Sequence, residues 1–288
     1  METSDRRESL LGSVRSLLFT PGDAPDRFEK GAAIGADVVI IDLEDAVAAG
    51  SKETARRNAI AHLRAERSGG PLRAVRINDP ASPLGLRDLA ALRSAGSRPD
   101  LLVVPKVENA ETLLRVGAAV DEDGAHGPGI LPLIESAAGA LHAEEILAVD
   151  LAVGVLLGAA DLAADLRIPD PDRASLAVPR MQVVMAAASR RKPVFDAPWF
   201  AFRDDAGLRA DVASARAEGF SGKCAVHPAQ VASINAAWTP TVDEIAHARR
   251  VIAAADRGVG EVDGQMVDEA MARRARDVVA RSRQPRRG

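Results

Sequence analysis

The sequence predicts an α/β protein of the (β/α)8 TIM-barrel class, followed by a C-terminal helical appendage. Three observations support this class. Short runs rich in leucine and β-branched residues recur along the chain, amphipathic segments lie between them, and the strand-plus-helix units begin roughly 30 residues apart. Most of the short runs are continuously apolar, which is typical of parallel strands that are buried on both faces.

Eight segments have the composition of such strands: residues 14–19, 37–43, 72–77, 101–105, 130–134, 151–157, 193–195 and 222–226. Alanine-rich amphipathic segments predict the helices between them at residues 26–34, 52–64, 86–95, 110–120, 137–148, 180–189 and 207–217. A doubly wound open sheet is the competing interpretation, although eight strands would make it long. No Gly-x-Gly-x-x-Gly run follows the first strand and the sequence has no P-loop, so nucleotide-phosphate binding lacks support.

The sequence pattern changes after Trp238, and Thr239-Pro240 marks a boundary. We therefore predict two domains, a catalytic barrel over residues 1–238 and a helical segment over residues 239–288. Helices are predicted at residues 242–255 and 269–282 of this segment. Between them, the stretch 257–264 holds three glycines and few apolar residues, which predicts a mobile or extended connector.

Composition limits the class of function. The 288 residues are 47% apolar and carry 37 basic and 41 acidic groups, a net charge of −4. This is enough apolar material for a folded core, and the charge offers no general attraction for nucleic acid or anionic lipid. The single cysteine, Cys224, excludes an internal disulfide and a thiolate-built zinc site. A polar N-terminal segment and the lack of an apolar run of roughly 20 residues predict a cytoplasmic protein without membrane partners.

Charged or ionisable residues follow almost every predicted strand. In a parallel barrel these positions meet at the carboxyl-end rim, where barrel enzymes carry their active sites. Glu135 and Asp161 end adjacent strands, and two carboxylates with room for water suit Mg²⁺. Arg76 offers a planar fork for a carboxylate, so a Mg²⁺ ion beside it would suit a 2-oxo acid. From spacing alone, capping of the following helices explains Glu135 and Asp161 equally well.

Eight sequence runs resemble one known family. They are RSLLFTPG (15–22), VIIDLEDAV (39–47), VRIN (75–78), PK (105–106), LPLIES (131–136), GAADL (158–162), AVHPAQ (225–230) and GQMVD (264–268). These runs resemble the citrate lyase β-subunit family of the HpcH/HpaI aldolase superfamily, which includes malyl-CoA and citramalyl-CoA lyases. The resemblance extends over about residues 14–282 and keeps the order of the family's motifs.

The resemblance implies a Mg²⁺-dependent lyase that acts on a bond between a CoA-thioester enolate and a 2-oxo acid. Citramalyl-, malyl- and citryl-CoA are the implied kinds of substrate. Glu135 and Asp161 are implied as the metal ligands, and Arg76 as the residue that binds the carboxylate of the acid. The remaining implied substrate contacts are Phe19, Arg27, Lys30, Glu135, Ala160, Val226 and His227, and the implied acidic shell around metal-bound water is Asp42, Glu44 and Asp45.

Several of these implied roles have structural alternatives. Glu44 or Asp45 could instead form an ion pair with Lys106 or a neighbouring arginine. Arg27 and Lys30 lie three residues apart on one helix face and could both meet a phosphate. They could equally belong to a solvated helix with internal ion pairs, and His227 could be part of a structural turn.

Asp268 precedes the last predicted helix and is a candidate N-cap. It also matches the aspartate of the family's Gly-x-Met-(Ile/Val)-Asp motif, which resembles a catalytic acid/base delivered by the C-terminal segment of a neighbouring subunit. The resemblance therefore implies a homotrimer or hexamer in which residues 239–288 pack on an adjacent chain. Family members often have proline two positions after this aspartate, whereas this sequence has Ala270, so the helix start is less rigidly preset.

Two other functions remain open from the sequence. One is a 2-oxo-acid aldolase that uses free aldehydes and no CoA, against which Arg27 and Lys30 argue weakly. The other is a non-catalytic paralogue or complex subunit that binds an acyl carrier protein. An argument against simple loss of activity is the presence of the whole set Glu135, Asp161, Arg76 and Asp268.

Overall fold

The computed structural model describes residues 11–283 except residues 67–68, 97, 122–126, 257 and 259. Within this part of the chain, eight parallel strands close into one barrel. They are β1 (Ser16–Pro21), β2 (Val38–Asp42), β3 (Leu72–Arg76), β4 (Leu101–Val104), β5 (Gly129–Ile134), β6 (Val155–Leu157), β7 (Val194–Asp196) and β8 (Gly222–Ala225). Strand β8 pairs with β1 and completes the ring, so the predicted (β/α)8 class is confirmed.

Helices cover the outside of the barrel and continue beyond it. They are α1 (Asp26–Ala33), α2 (Lys52–Arg64), α3 (Pro83–Ser94), α4 (Ala110–Val120), α5 (Ala137–Leu141), α6 (Ala143–Ala148), α7 (Ala159–Asp165), α8 (Ala177–Ser189), α9 (Asp205–Glu218), α10 (Gln230–Trp238), α11 (Val242–Ala255) and α12 (Glu269–Arg283). None of the helices that the structure describes is long and apolar enough to cross a bilayer.

Two predicted elements differ from the structure, and two helices were not predicted. The helix predicted at residues 137–148 is divided at His142, whose ring Nδ1 lies 2.9 Å from the carbonyl oxygen of Glu108. Strand β6 is shorter than predicted, because residues 151–153 make only an isolated bridge to Ile130 before the chain reaches Gly154. Helix α7 begins directly at the predicted end of the sixth strand, and α10 begins at Gln230 just after the eighth; their alanine-rich sequences give little contrast between an apolar and a polar face.

Alternate strand residues point into the barrel and form its inner core. They are Leu17, Val38, Ile40, Leu72, Ala74, Leu101, Val103, Leu131, Leu133, Leu156, Phe195 and Cys224. Residues between these positions, such as Leu18, Val39 and Val75, pack outward against the helices. Both faces of each strand are therefore buried, which explains the continuous apolar runs in the sequence.

Beyond α10, two helices and a hairpin form a smaller apolar cluster. Its buried members are Ala248, Val251, Ala254, Val267, Ala275 and Val279. The hairpin consists of the antiparallel strands β9 (Gly260–Val262) and β10 (Gln265–Val267), which turn at Asp263 and Gly264 with φ values of 54° and 79°. The prediction of an extended connector is therefore wrong for residues 260–264, while residues 257 and 259 lie outside the described part of the chain. The domain division at residue 239 stays a prediction.

Candidate active site

A cavity of about 390 Å³ lies at the carboxyl ends of the barrel strands. Phe19, Asp42, Arg76, Glu135 and Val226 line it, and each follows the last inner-core residue of its strand by two positions. Because side chains alternate along a strand, this spacing directs all five into the barrel mouth. The rest of the lining consists of Asp45, Ala46, Leu133, Leu157, Gly158, Ala159, Ala160, Asp161, Pro198, Phe200 and Cys224.

Arg76 is held at this cavity by Asp42. Nε of Arg76 donates to Oδ1 of Asp42 at 2.7 Å, and Nη2 donates to Oδ2 at 2.6 Å. The guanidinium also lies over the ring of Phe19, with 5.0 Å between Cζ and the ring centroid. Burial alone would lower the pKa of Arg76, but three neighbouring carboxylates, first that of Asp42, raise it above its usual value. Arg76 is therefore a fixed, permanently charged cation.

Each carboxylate oxygen of Asp42 accepts two hydrogen bonds. Besides the contacts with Arg76, Oδ1 accepts from the backbone N of Glu44 at 2.9 Å, and Oδ2 accepts from the backbone N of Ala46 at 3.0 Å. A carboxylate offers about four acceptor positions, so Asp42 is saturated by its own chain. This geometry favours a role for Asp42 in orienting Arg76. The role of Asp42 in holding metal-bound water stays a prediction.

Glu44 connects the two cations of the rim. Its Oε2 lies 3.1 Å from Nη1 of Arg76, and its Oε1 lies 3.4 Å from Nζ of Lys106. Burial raises the pKa of Glu44, and the charge of Arg76 opposes that increase. Asp45 is mostly exposed, with Oδ2 3.8 Å from Nη1 of Arg76. Of the two interpretations left open by the sequence, the ion-pair interpretation describes the contacts of Glu44 and Asp45 in this structure.

Glu135 projects into the cavity from the end of β5 and is only 5% exposed. The backbone N of Lys106 donates to its Oε1 at 2.8 Å, whereas its Oε2 accepts no hydrogen bond from any described residue. Burial raises the pKa of Glu135 to about 7, and the charge of Glu44 adds to the increase. A cation beside Oε2 would offset both effects.

Asp161 lies in the first turn of α7, on the exposed side of the cavity. Strands β5 and β6 are paired neighbours, so the sheet brings Glu135 and Asp161 to one cavity wall. In the described part of the chain, no group of three or more His, Cys, Asp or Glu side chains could hold a metal ion. A metal here would have two protein ligands, with water or substrate oxygens as the others.

The other predicted substrate contacts divide into two groups. Ala160 and Val226 line the cavity, as Phe19 does. His227 lies just after Val226 outside the lining, and its ring stacks on that of Phe202 with 4.9 Å between centroids. Nδ1 of His227 accepts from the backbone N of Ala229 at 3.2 Å, so the turn interpretation describes its contacts.

The structure does not bring Arg27 and Lys30 into the cavity. Both are exposed on α1, and Nζ of Lys30 donates to Oδ2 of Asp26 at 2.8 Å. This is the internal ion pair of a solvated helix, the alternative that the spacing left open. A contact of either cation with CoA stays a prediction.

Asp268 also lies outside the cavity of its own chain. It is exposed at the start of α12, where its Oδ1 accepts from the backbone N of Met271 at 3.0 Å. The predicted N-cap is therefore confirmed. Oδ2 accepts no hydrogen bond from any residue in the described ranges, and the expected role of this oxygen in a neighbouring subunit stays a prediction.

Two contributions to the site have no clear signal in the sequence. Lys106 adopts φ 55°, a left-handed conformation that costs a non-glycine residue about 1–2 kcal/mol, and its backbone N–H donates to Glu135. Phe200, in the loop after β7, is 62% exposed and lines the cavity. The Pro105-Lys106 pair was part of the family resemblance, but the sequence does not indicate the left-handed conformation of Lys106. Phe200 lies in a loop, where no periodic sequence pattern exists to indicate a cavity residue.

The fold and the cavity place this chain among barrel proteins whose chemistry lies at the carboxyl ends of the strands. The model of the HpcH/HpaI aldolase/citrate lyase family matches residues 15–228. The chain belongs to this family, as the sequence runs predicted.

Two curated relatives and one solved structure are similar to this chain over most of its length. A (3S)-malyl-CoA thioesterase from Cereibacter sphaeroides is 36% identical over 278 residues, which cover 93% of this chain and 94% of the relative. An L-malyl-CoA/beta-methylmalyl-CoA lyase from the same species is 35% identical over 302 residues, covering 92% and 93%. The solved structure of CitE from Mycobacterium tuberculosis in complex with magnesium, acetoacetate and coenzyme A is 33% identical, with a TM-score of 0.80 over 94% of this chain and 99% of that chain.

Proposed function

We propose that this protein is a Mg²⁺-dependent carbon–carbon lyase. It would cleave a 3-hydroxyacyl-CoA acid such as citramalyl-, malyl- or citryl-CoA into acetyl-CoA and a 2-oxo acid, or catalyse the reverse condensation. The observation that carries the proposal is one cavity that combines Glu135 and Asp161 with the fixed cation of Arg76. The malyl-CoA lyase among the relatives, and the relative solved with magnesium, acetoacetate and coenzyme A, support the same reaction class.

The donor set of Glu135 and Asp161 fits Mg²⁺. Both ligands are carboxylates, and Oε2 of buried Glu135 has no partner among the described residues. The raised pKa of Glu135 reflects burial and nearby negative charge, both of which a divalent cation would offset. When bound, Mg²⁺ would polarise the hydroxyl and carboxylate oxygens of the substrate.

Arg76 would bind the carboxylate of the acid half. A guanidinium has five N–H groups, of which Asp42 uses one on Nε and one on Nη2. The remaining three belong to Nη1 and Nη2 at the end of the planar fork, where Nη1 also lies 3.1 Å from Oε2 of Glu44. Asp42 would therefore orient Arg76 from one edge, and the substrate carboxylate would share the other end with Glu44.

Asp268 of a neighbouring subunit would transfer the proton. In the cleavage direction the substrate hydroxyl would lose its proton to water and become the carbonyl of the 2-oxo acid as the carbon–carbon bond breaks, and the carboxyl group of Asp268 would protonate the enolate of acetyl-CoA. In the condensation direction the carboxylate would remove the α-proton of acetyl-CoA, and water would protonate the alkoxide that forms. This role requires a homo-oligomer, for which we propose a trimer or hexamer, with Arg27 and Lys30 as contacts of the CoA phosphates.

Arg76→Lys is expected to lower kcat/KM about 10- to 100-fold, because an ammonium keeps the charge but loses two-point contacts worth about 1.5–3 kcal/mol. Steady-state kinetics in the condensation direction should place most of the loss in KM for the 2-oxo acid. Arg73→Lys is the matched control, since Arg73 lies on the same strand but donates to the backbone of α2 at His62. Unchanged kcat/KM in Arg76→Lys would reduce Arg76 to a structural ion pair.

Hydrolysis of the same thioester is the second candidate, because one relative is a (3S)-malyl-CoA thioesterase. Cys224 is the cysteine that lines the cavity, and burial raises its thiol pKa to about 12. A thiol in this state has almost no thiolate at neutral pH and makes a poor nucleophile. Hydrolysis here would therefore use water and not an acyl-cysteine.

Cys224→Ala is expected to retain turnover within about threefold and to lose about 1 kcal/mol of stability from the small void. Treatment of the folded wild-type protein with iodoacetamide should leave both activity and intact mass unchanged. Stoichiometric alkylation that parallels loss of activity would contradict the assignment of Cys224 as an inert core residue.

The decisive assay incubates the purified protein with malyl-, citramalyl- and citryl-CoA, with and without Mg²⁺. Acetyl-CoA plus a 2-oxo acid identifies the lyase, whereas free CoA plus a hydroxy acid identifies the hydrolase. Turnover of free oxo acids and aldehydes without CoA would favour the aldolase. No turnover on any of these substrates would overturn the proposal and favour a non-catalytic subunit.

A further inference from the structure

The two carboxylates that would hold Mg²⁺ lie on separate elements of the fold. Glu135 directly follows β5, whereas Asp161 lies in the first turn of α7. Mg²⁺ requires ligand oxygens at about 2.0–2.1 Å in near-octahedral geometry. A small displacement of α7 relative to β5 would therefore move one of the two carboxylates out of reach of a shared ion.

Helix α7 has few apolar residues with which to hold its position. It has seven residues, of which Leu162 and Ala163 are buried, whereas Asp161, Ala164 and Asp165 are exposed. A helix of this length is not stable by itself in water, so its position depends on its contacts with neighbouring elements.

The first such contact is at Gly158, the residue before α7. The backbone N of Gly158 donates to the carbonyl oxygen of Ile134 at 2.9 Å. A Cβ atom at position 158 would lie 2.5 Å from Cβ of Glu135 and 2.9 Å from its Oε2, which is too close for any side chain. Glycine therefore lets the start of α7 lie directly against the side chain of Glu135.

The second contact is at the other end of α7. Oδ2 of Asp165 accepts from the backbone N of Ala137 at 2.7 Å. Ala137 is the first residue of α5 and follows Glu135 by two positions, so its N–H is one of those that find no acceptor within their own helix. Asp165 follows Asp161 by about one helical turn. This hydrogen bond therefore joins the helix that carries one carboxylate to the turn that carries the other.

We infer that Asp165 is a positioning residue of the metal site, which holds α7 against the turn between β5 and α5 and so sets the distance between the carboxylates of Glu135 and Asp161. This inference rests on the proposed function and deepens its metal site. Asp165 is exposed and is not among the described residues that line the cavity, so it acts through the two ligands. Loss of a hydrogen bond that orients metal ligands typically lowers metal affinity about 10- to 100-fold.

Titration of the full-length protein with Mg²⁺ alone, followed by isothermal titration calorimetry, tests this role without a turnover assay. Asp165→Ala should raise the Kd for Mg²⁺ about 10- to 100-fold, because it removes the acceptor for the N–H of Ala137. Asp165→Asn keeps an oxygen acceptor and removes the charge. Its Kd should stay within about threefold of the wild-type value, because an exposed charge is screened by solvent and salt.

Asp204→Ala is the matched control for a general loss of stability. Asp204 is also an exposed aspartate that accepts a backbone N–H at the start of a helix, from Gly207 at 2.9 Å. It caps α9, which carries neither proposed ligand. Thermal unfolding without Mg²⁺ should show that both alanine variants are folded and less stable than the wild-type protein. The Kd for Mg²⁺ should change in Asp165→Ala and stay at the wild-type value in Asp204→Ala.

The possible outcomes separate the inference from the proposed function. A wild-type Kd in Asp165→Ala, together with loss of Mg²⁺ binding in Glu135→Gln, would overturn the inference and leave the metal site intact. Equal weakening in Asp165→Ala and Asp165→Asn would also overturn it, because the charge of Asp165 and not its hydrogen bond would then be responsible. Failure of the wild-type protein to bind Mg²⁺ would reject the proposed metal site and the inference with it.

Discussion

Glu135→Gln is expected to abolish Mg²⁺ binding and turnover while making the metal-free protein more stable above pH 7. Glutamine can still accept the hydrogen bond from the N–H of Lys106 through its Oε1, but it supplies no charge for a metal. The pKa of buried Glu135 is raised to about 7 in the folded chain, above its unfolded value of 4.5. Stability linked to this group is therefore present below pH 4.5 and is lost as the pH rises through 7. The neutral variant does not lose it.

Thermal unfolding at pH 8, with and without Mg²⁺, checks both parts of this prediction. At a Mg²⁺ concentration of 100 times its Kd, the wild-type protein should gain about 2.7 kcal/mol, and Glu135→Gln should gain nothing. Asp161→Ala should also lose the Mg²⁺ response, but without the gain in metal-free stability, because Asp161 is exposed. A full Mg²⁺ response in both variants would remove Glu135 and Asp161 as ligands.

Asp268→Ala and Glu135→Ala are each expected to be inactive, yet a reassembled mixture of the two should recover activity. Asp268 is exposed at the start of α12 and outside the cavity of its own chain, so a catalytic role requires a second subunit. In a closed ring, some interfaces would pair the intact metal site of one chain with the intact Asp268 of its neighbour. Random mixing of equal amounts predicts restoration of about a quarter of the sites. A site has a chance of about one half of an intact metal site and, independently, of about one half of an intact Asp268 from its neighbour.

Recovery must be measured after demonstrated exchange of subunits, for example by mass spectrometry of differently labelled chains. Asp268→Ala alone should still bind Mg²⁺ and the oxo acid, which separates it from Glu135→Ala. It should also lose about 1 kcal/mol of stability, because Oδ1 caps α12 through the N–H of Met271. Loss of stability without loss of turnover would leave Asp268 as a helix cap only.

The fold and the polar strand-end residues that line the cavity could be predicted, because both depend on strand periodicity. A strand that is buried on both faces must be apolar throughout, so its first polar residue marks the carboxyl-end rim. Asp42 and Glu135 are such residues, whereas Arg76 is preceded on its strand by Arg73. All three continue the inward-facing positions of their strands. The same rule concerns strands and did not anticipate α7 and α10, whose alanine-rich sequences give little contrast between an apolar and a polar face.

Pairing within the site could not be predicted, because it depends on distances between strands. The spacing left two roles open for Glu44, contact with metal-bound water or an ion pair. Only the pairing of β2 with β3 and of β3 with β4 brings it to 3.1 Å from Arg76 and 3.4 Å from Lys106. The hairpin at residues 260–267 was missed for a related reason. Its glycines indicate flexibility, whereas the left-handed turn at Asp263 and Gly264 uses that freedom to fold the chain back.

The sequence by itself determined the barrel, the family and the set of polar residues at the rim. Alternation along buried strands and the order of the motifs can both be recognised along the chain, without knowledge of contacts between distant residues. The tertiary structure decided which of those residues act on one another. Asp42 orients Arg76, and Lys106 orients Glu135. Arg27, Lys30 and Asp268 lie outside the cavity of their own chain. The contacts within the site depend on the pairing and register of neighbouring strands, which places Asp42 directly opposite Arg76 and so decides which charges neutralise each other.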